Sequence, residues 1–137
     1  MPAAIQYQAK DFFAYGLTFT ALAAGTSATQ NLNIQADSDF ILQKMTYGAD
    51  IAGAAQTDSG RVIPLATILI VDSGSGRQSS NAAVDLQSIM GDGRIPFILS
   101  QPKIFLAQSN VSITVANISS ATTYNIRLSF IGVKGFR

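Results

Sequence analysis

The 137-residue sequence has no cysteine, histidine, tryptophan or glutamate. Without cysteine there are no disulfides, no thiolate metal ligands and no thiol nucleophile. With histidine and glutamate missing as well, the usual general bases and nucleophile activators are gone. A catalytic centre would need a Ser–Lys pair or two aspartates, and no spacing brings particular ones together. Catalytic, cofactor-binding and metal-ligating residues are therefore all assigned as none, and the expectation is a non-enzymatic protein.

Charge is scarce too. Charged residues make up 12% of the chain, about half the ~25% of a typical soluble domain. Ser, Thr, Gln and Asn fill the gap rather than hydrophobic runs. All 8 acidic residues are aspartates, most of them beside Gly or Ser, which is turn usage. Interface cores are poor in charge, and a charge-poor surface stays soluble less easily alone. Contact with other protein surfaces follows, with a homo-oligomer expected and a two-fold dimer favoured over a trimer. The net charge of +1 gives no reason to expect nucleic acid or an anionic membrane.

No stretch approaches the ~20 apolar residues of a membrane-spanning helix. Lys10 followed by Phe12 to Ala24, with Ala21-Leu22-Ala23 as a small-residue cleavage site, has the outline of a leader. Asp11 at its border and Tyr15, Gly16, Thr18 and Thr20 within it dilute that pattern. A soluble chain is the expectation.

What is present is alternation. Tyr124, Ile126, Leu128 and Phe130 alternate with Asn125, Arg127 and Ser129, so a strand here turns one apolar face to a core. Val111, Ile113 and Val115 alternate with Ser112 and Thr114 in the same way. The polar segment Asn117 to Thr123 suits an open hairpin loop between these two runs, which read as the central pair of a sandwich. Upstream, Tyr15, Leu17 and Phe19 mark a first strand and Leu32 with Ile34 a second. Asp37-Ser-Asp39 turns the chain into a third, Phe40 to Tyr47, apolar on both faces. Ala49 to Arg61 reads as a long exposed loop with a turn at Asp58-Ser-Gly60.

Val62 to Val71 is the greasiest run and is expected to be a fully buried strand, with Pro64 placing its start at an edge or bulge. Ala82 to Met90 allows a short helical turn or a ragged strand, broken by Gly91-Asp-Gly93. Ile95 to Leu99 and Lys103 to Leu106 flank Pro102 as two short strands or one bent strand. The result is a single-domain antiparallel β-sandwich or jelly roll of about eight short strands. A chain of this size hides roughly two thirds of its unfolded surface, enough for a core without staples.

The short motifs carry little chemistry. Gly74-Ser-Gly-Arg77 lacks the spacing and the Lys-Ser/Thr pair of a phosphate loop. Gly91-Asp-Gly93 and Asp37-Ser-Asp39 do not continue into calcium-loop spacing and are ordinary turns. Asn110-Val-Ser112 and Asn117-Ile-Ser119 match the glycosylation pattern but read as hydrogen-bonding asparagines at strand ends. Arg127 belongs on an outer face. Phe12-Phe13 and Phe136 are either contact anchors or core.

Ile95-Pro-Phe-Ile-Leu, Pro102-Lys-Ile-Phe, the strand from Val111 to Asn117 and Tyr124-Asn-Ile-Arg-Leu-Ser-Phe-Ile-Gly-Val-Lys together resemble small virion proteins of tailed bacteriophages, in particular the jelly-roll capsid decoration (cement) proteins. The likeness covers about a third of the chain and consists of strand patterns. It implies a non-enzymatic protein on the capsid exterior, made in the host cytoplasm, that binds the major capsid protein and ties its subunits together. It carries no motif of functional residues. The ends, residues 1–13 and 133–137, are the candidate contact arms. Another phage part (a tail, fibre or baseplate β-domain) is the alternative, followed by a carbohydrate-binding sandwich, which scarce Tyr and absent Trp disfavour.

Overall fold

The computed structural model describes residues 6–53, 62–73, 76–92 and 94–137. Among these residues are nine strands: β1 (Ala9–Leu22), β2 (Ser27–Asn33), β3 (Asp39–Ile51), β4 (Ala66–Asp72), β5 (Arg77–Gln78), β6 (Val84–Asp85), β7 (Phe97–Phe105), β8 (Asn110–Asn117) and β9 (Tyr124–Phe136), with a helical turn, α1 (Leu86–Ile89), after β6. Two antiparallel sheets face each other. One has the order β1-β9-β3-β7, the other β2-β8-β4-β5, with β6 also on β4. The pairing is nested: β1 with β9, β2 with β8, β3 with β7, and β4 with β5 and β6. The all-β sandwich expected from the alternation is the fold.

The strands are not uniformly short, since β1, β3 and β9 run for 14, 13 and 13 residues. Tyr124, Ile126, Leu128 and Phe130 are buried on β9, as are Val111, Ile113 and Val115 on β8, all in one hydrophobic cluster with Phe19, Phe40 and Phe105. The two runs do not form a hairpin, however. β8 and β9 are the interior strands of opposite sheets, facing across the core. Asn117 explains why. Its buried carboxamide donates to the Leu22 carbonyl (2.9 Å) and the Thr122 carbonyl (2.7 Å), and accepts from the Ser119 amide (2.9 Å) and hydroxyl (2.7 Å). A buried amide needs such partners, and here they tie the crossing segment to the end of β1. Asn117 is thus the hydrogen-bonding asparagine expected at a strand end.

Two further expectations change, and two segments with alternative readings resolve. The loop expected from Ala49 begins later, because β3 continues to Ile51 with Ala49 and Asp50 buried; the turn at Asp58-Ser-Gly60 lies outside the described residues. The run Val62 to Val71 is not buried throughout. Ile63 and Leu65 are exposed, and the strand starts only at Ala66, beyond Pro64, with one buried face and one half-buried face. β7 is one interrupted strand: Phe97 and Ile98 pair with Met45 and Lys44, Lys103 to Phe105 pair with Leu42 to Phe40, and Leu99 to Pro102 bulge out opposite Gln43. Pro102 has no amide to give a ladder there. The segment Ala82 to Met90 combines both readings, a two-residue strand followed by one helical turn.

A second bulge adds Gln43 to β3 opposite β9. There the backbones press together so closely that a Cβ on Gly132 would stand 1.9 Å from the Ile41 carbonyl oxygen. Gly132→Ala is therefore expected to destabilise the protein by about 1–3 kcal/mol, the usual cost of overpacking. Urea unfolding of the variant beside the wild type measures it; an unchanged midpoint would mean the two strands do not meet this closely.

Candidate functional site: the outer face of the four-stranded sheet

Residues opposite each other in a ladder share a face of the sheet. With Phe13, Tyr15 and Phe19 turned inward, the partners of Phe12 point out. Phe12 stands opposite Val133, Val133 opposite Ile41, and Ile41 opposite Ile104. An apolar row thus crosses all four strands. The next row, Ala14, Ile131, Lys44 and Ile98, is apolar on three strands and carries the exposed Lys44 on β3. Phe12 is 75% exposed, Ile98 65% and Ile104 40%, whereas Ile41 is covered by its neighbours. Isolated exposed apolar residues are common, but a contiguous patch marks an interaction surface.

Both ends of this belt are polar. On one side the rows become Gly16, Ser129 and Thr46, then Thr18, Arg127 and Gly48. Arg127 lies on the outer face as expected. Its guanidinium rests over Gly48, with nitrogens 3.8 and 3.9 Å from where a Cβ would stand, and its Nη2 lies 3.5 Å from Oδ2 of the buried Asp50. Among the described residues Oδ1 of Asp50 has no partner, which leaves an acceptor at this border.

On the other side, Lys10, Gly135 and Asp39 form a row covered by Tyr7. A Cβ on Gly135 would stand 2.5 Å from the Tyr7 ring, so glycine makes room for it. Tyr7 donates its hydroxyl to Oδ2 of Asp39 (3.0 Å); Arg137 reaches the same oxygen with Nε (3.0 Å) and Nη2 (2.9 Å), and the Ala107 amide donates to Oδ1 (2.9 Å). Burial pushes the Asp39 carboxyl up, but the Ala107 amide, Arg137 and Tyr7 together outweigh it and hold the group below the usual carboxylate range. Burial raises Tyr7, and the bond to Asp39 and its charge raise it further, to about 12. A cleft of about 390 Å³ opens beside this cluster between Asp37, Leu106 and Arg137.

The motifs singled out by sequence fall elsewhere. Asp37 faces Lys134, whose Nζ also donates to Gln35 (2.6 Å) and stands 4.1 Å from the Phe13 ring centroid. Asp92 accepts from the Arg94 (2.9 Å) and Ile95 (2.8 Å) amides, so its carboxylate closes a turn. Gly74 and Ser75 lie outside the described residues, and Asn110 is exposed. Among the described residues no group of three acidic side chains gathers as a metal site. The adjacent pair Phe12-Phe13 divides, Phe12 outward and Phe13 against the core. The candidate arms are not loose ends where they are described: Ala9 to Phe13 pair with Gly132 to Phe136, which also pairs with β3. They form the corner of the sheet that carries the belt.

The belt as a whole is not visible in the sequence, because its residues are scattered through the chain. Partial signals are Phe12, read as an anchor or core residue, and a third strand apolar on both faces, since Ile41 lies between Phe40 and Leu42. Among known proteins, no family model and no curated protein matches this chain.

Proposed function

We propose that this protein is a structural component of a virion, decorating the outside of a capsid and binding across contacts between major capsid protein subunits. The observation that carries this reading is the apolar belt, four strands wide and polar at both ends, because an apolar centre with a polar rim is how protein interfaces are built. Low charge and the likeness to phage decoration proteins support it. The nested pairing of strands is that of a chain folded as one long hairpin and rolled up, which supports the jelly-roll description. A ligand that binds only the assembled shell stabilises it by mass action, and many copies act together. The protein itself associates as a two-fold dimer under this reading, which light scattering at micromolar concentration measures; a strictly monomeric mass leaves the shell as its sole partner.

The experiment is to remove the protein from filled particles and then heat or osmotically shock them. Particles lacking it are expected to release DNA under milder conditions, and added protein to restore them. The double variant Phe12→Ser, Ile104→Ser is expected to bind stripped shells at least tenfold more weakly while unfolding near the wild-type midpoint, because both side chains are substantially exposed. Stripped shells that keep their DNA as well as complete ones would reject the cement role. Full binding by the double variant would reject the belt as the contact.

A further inference from the structure

A second surface lies where the sandwich is open, between β7 at the edge of one sheet and β5 at the edge of the other. A cleft of about 390 Å³ enters there. Buried Leu42, Met45 and Ile70 form its floor, and exposed Gln78 and Gln101 stand at its mouth. Clefts of this size with an apolar floor and a few polar groups are typical binding sites. Among the described residues, Lys103 alone brings charge to the lining. Its partner in the ladder is Leu42, an inward-facing residue, so Lys103 is turned toward the cleft rather than to the outer face. Its Nζ lies 5.9 Å from the Phe105 ring centroid, and among the described residues it has no carboxylate or hydrogen-bond acceptor.

We propose that this cleft takes an extended peptide segment from a partner protein, with an aliphatic side chain on the floor and an adjacent aspartate or glutamate against Lys103. Charge complementarity selects the acidic residue: a cation turned inward, with no counter-charge among the described residues, is matched by a carboxylate brought from outside. The mouth selects a peptide. Carboxamides beside a strand at a sheet edge match the amides of an extended chain, which can add to such an edge. The shell-binding reading is used only for the source of the segment, a strand or loop of the shell subunit. A competing account is that an inward lysine on an edge strand merely keeps sheets from joining edge to edge; it predicts an effect on self-association and none on peptide binding.

The test begins with the isolated full chain. Random twelve-residue peptides displayed on a library are selected against it and, in parallel, against Lys103→Gln. Peptides with Asp or Glu within two positions of Leu, Ile or Met are expected to be enriched on the wild type alone. The best synthetic peptide is expected to bind Lys103→Gln at least tenfold more weakly and Lys103→Arg nearly normally, and to shift the amide resonances of residues lining the cleft. Equal enrichment on both proteins, a binder indifferent to Lys103→Gln, or an effect of Lys103→Gln confined to self-association would each overturn the proposal. A second arm separates the two readings. If wild-type protein binds stripped shells and Lys103→Gln binds them equally well, the slot is not used and the proposal falls while the shell reading stands. If acidic peptides are selected but shells are not bound, the slot stands and the shell reading falls.

Discussion

Leu128→Ala is expected to destabilise the protein by about 2–5 kcal/mol, the range for emptying a fully buried leucine site. Leu128 is 1% exposed and sits midway along β9, between Leu17 of β1 and Tyr47 of β3. It belongs to the cluster that joins the sheets, with Ile113 and Val115 of β8. Strands on both sides hold the backbone, so the site has little freedom to collapse and most of the cavity should persist. In urea the midpoint should fall while the slope stays constant, because the surface exposed on unfolding is nearly unchanged. For a domain of this length each kcal/mol corresponds to roughly 3–5 °C in Tm. A loss below about 0.5 kcal/mol would mean that β9 does not present this face to the core.

That face was legible because Tyr124 to Phe130 alternates cleanly and every second residue is polar. Such a pattern settles which side chains go inward but not which strand lies beside them. The hairpin reading of β8 and β9 failed for that reason. Asn117 to Thr123 has the composition of a hairpin loop, and whether it turns back or crosses depends on a buried carboxamide bonding to Leu22, far away in sequence. β4 shows the reverse difficulty. Its run of apolar residues matches a strand buried on both sides, yet its second face is only half covered, and neighbours rather than sequence decide that.

The belt was hidden by register. Ile41 and Ile104 are unremarkable in their own segments, Phe12 could equally be core, and only the pairing of four strands puts them in a row with Val133. Lys103 was hidden similarly, since its inward direction follows from standing opposite Leu42 beyond a bulge. The absence of cysteine, histidine and glutamate, by contrast, is read directly from the sequence and needs no knowledge of register. Asp37-Ser-Asp39 was legible as a turn, but not as the start of a clasp that engages Tyr7 and Arg137 from distant parts of the chain.

That clasp should make stability depend on acid. Asp39 has a side-chain exposure of 3%, and its carboxylate joins the segment before β1, the β7–β8 turn and the end of β9 through Tyr7, Ala107 and Arg137. Its native pKa is depressed, so the folded state favours the charged form. The contribution is complete above the unfolded value of about 3.9 and is lost as pH falls through the lower native value. Asp39→Asn keeps an acceptor for the Ala107 amide but loses the charge facing Arg137. At pH 7 it should cost roughly 1.5–3 kcal/mol, the worth of a hydrogen bond to a charged group. The gap from wild type should then narrow as the pH falls below about 4, where Asp39 of the unfolded chain takes up its proton first, and it should close once the native carboxyl is neutral too. Tyr7 sets the alkaline side: with its pKa raised to about 12, its contribution is complete below the ordinary value of about 10 and is lost as pH rises through the native one. Urea midpoints of wild type, Asp39→Asn and Tyr7→Phe from pH 2 to 11 test both limbs, with Leu128→Ala as the control whose deficit should stay constant across the series. A gap between wild type and Asp39→Asn that stays as wide at pH 2 as at pH 7 would show that the ionised carboxylate is not what holds these three segments together.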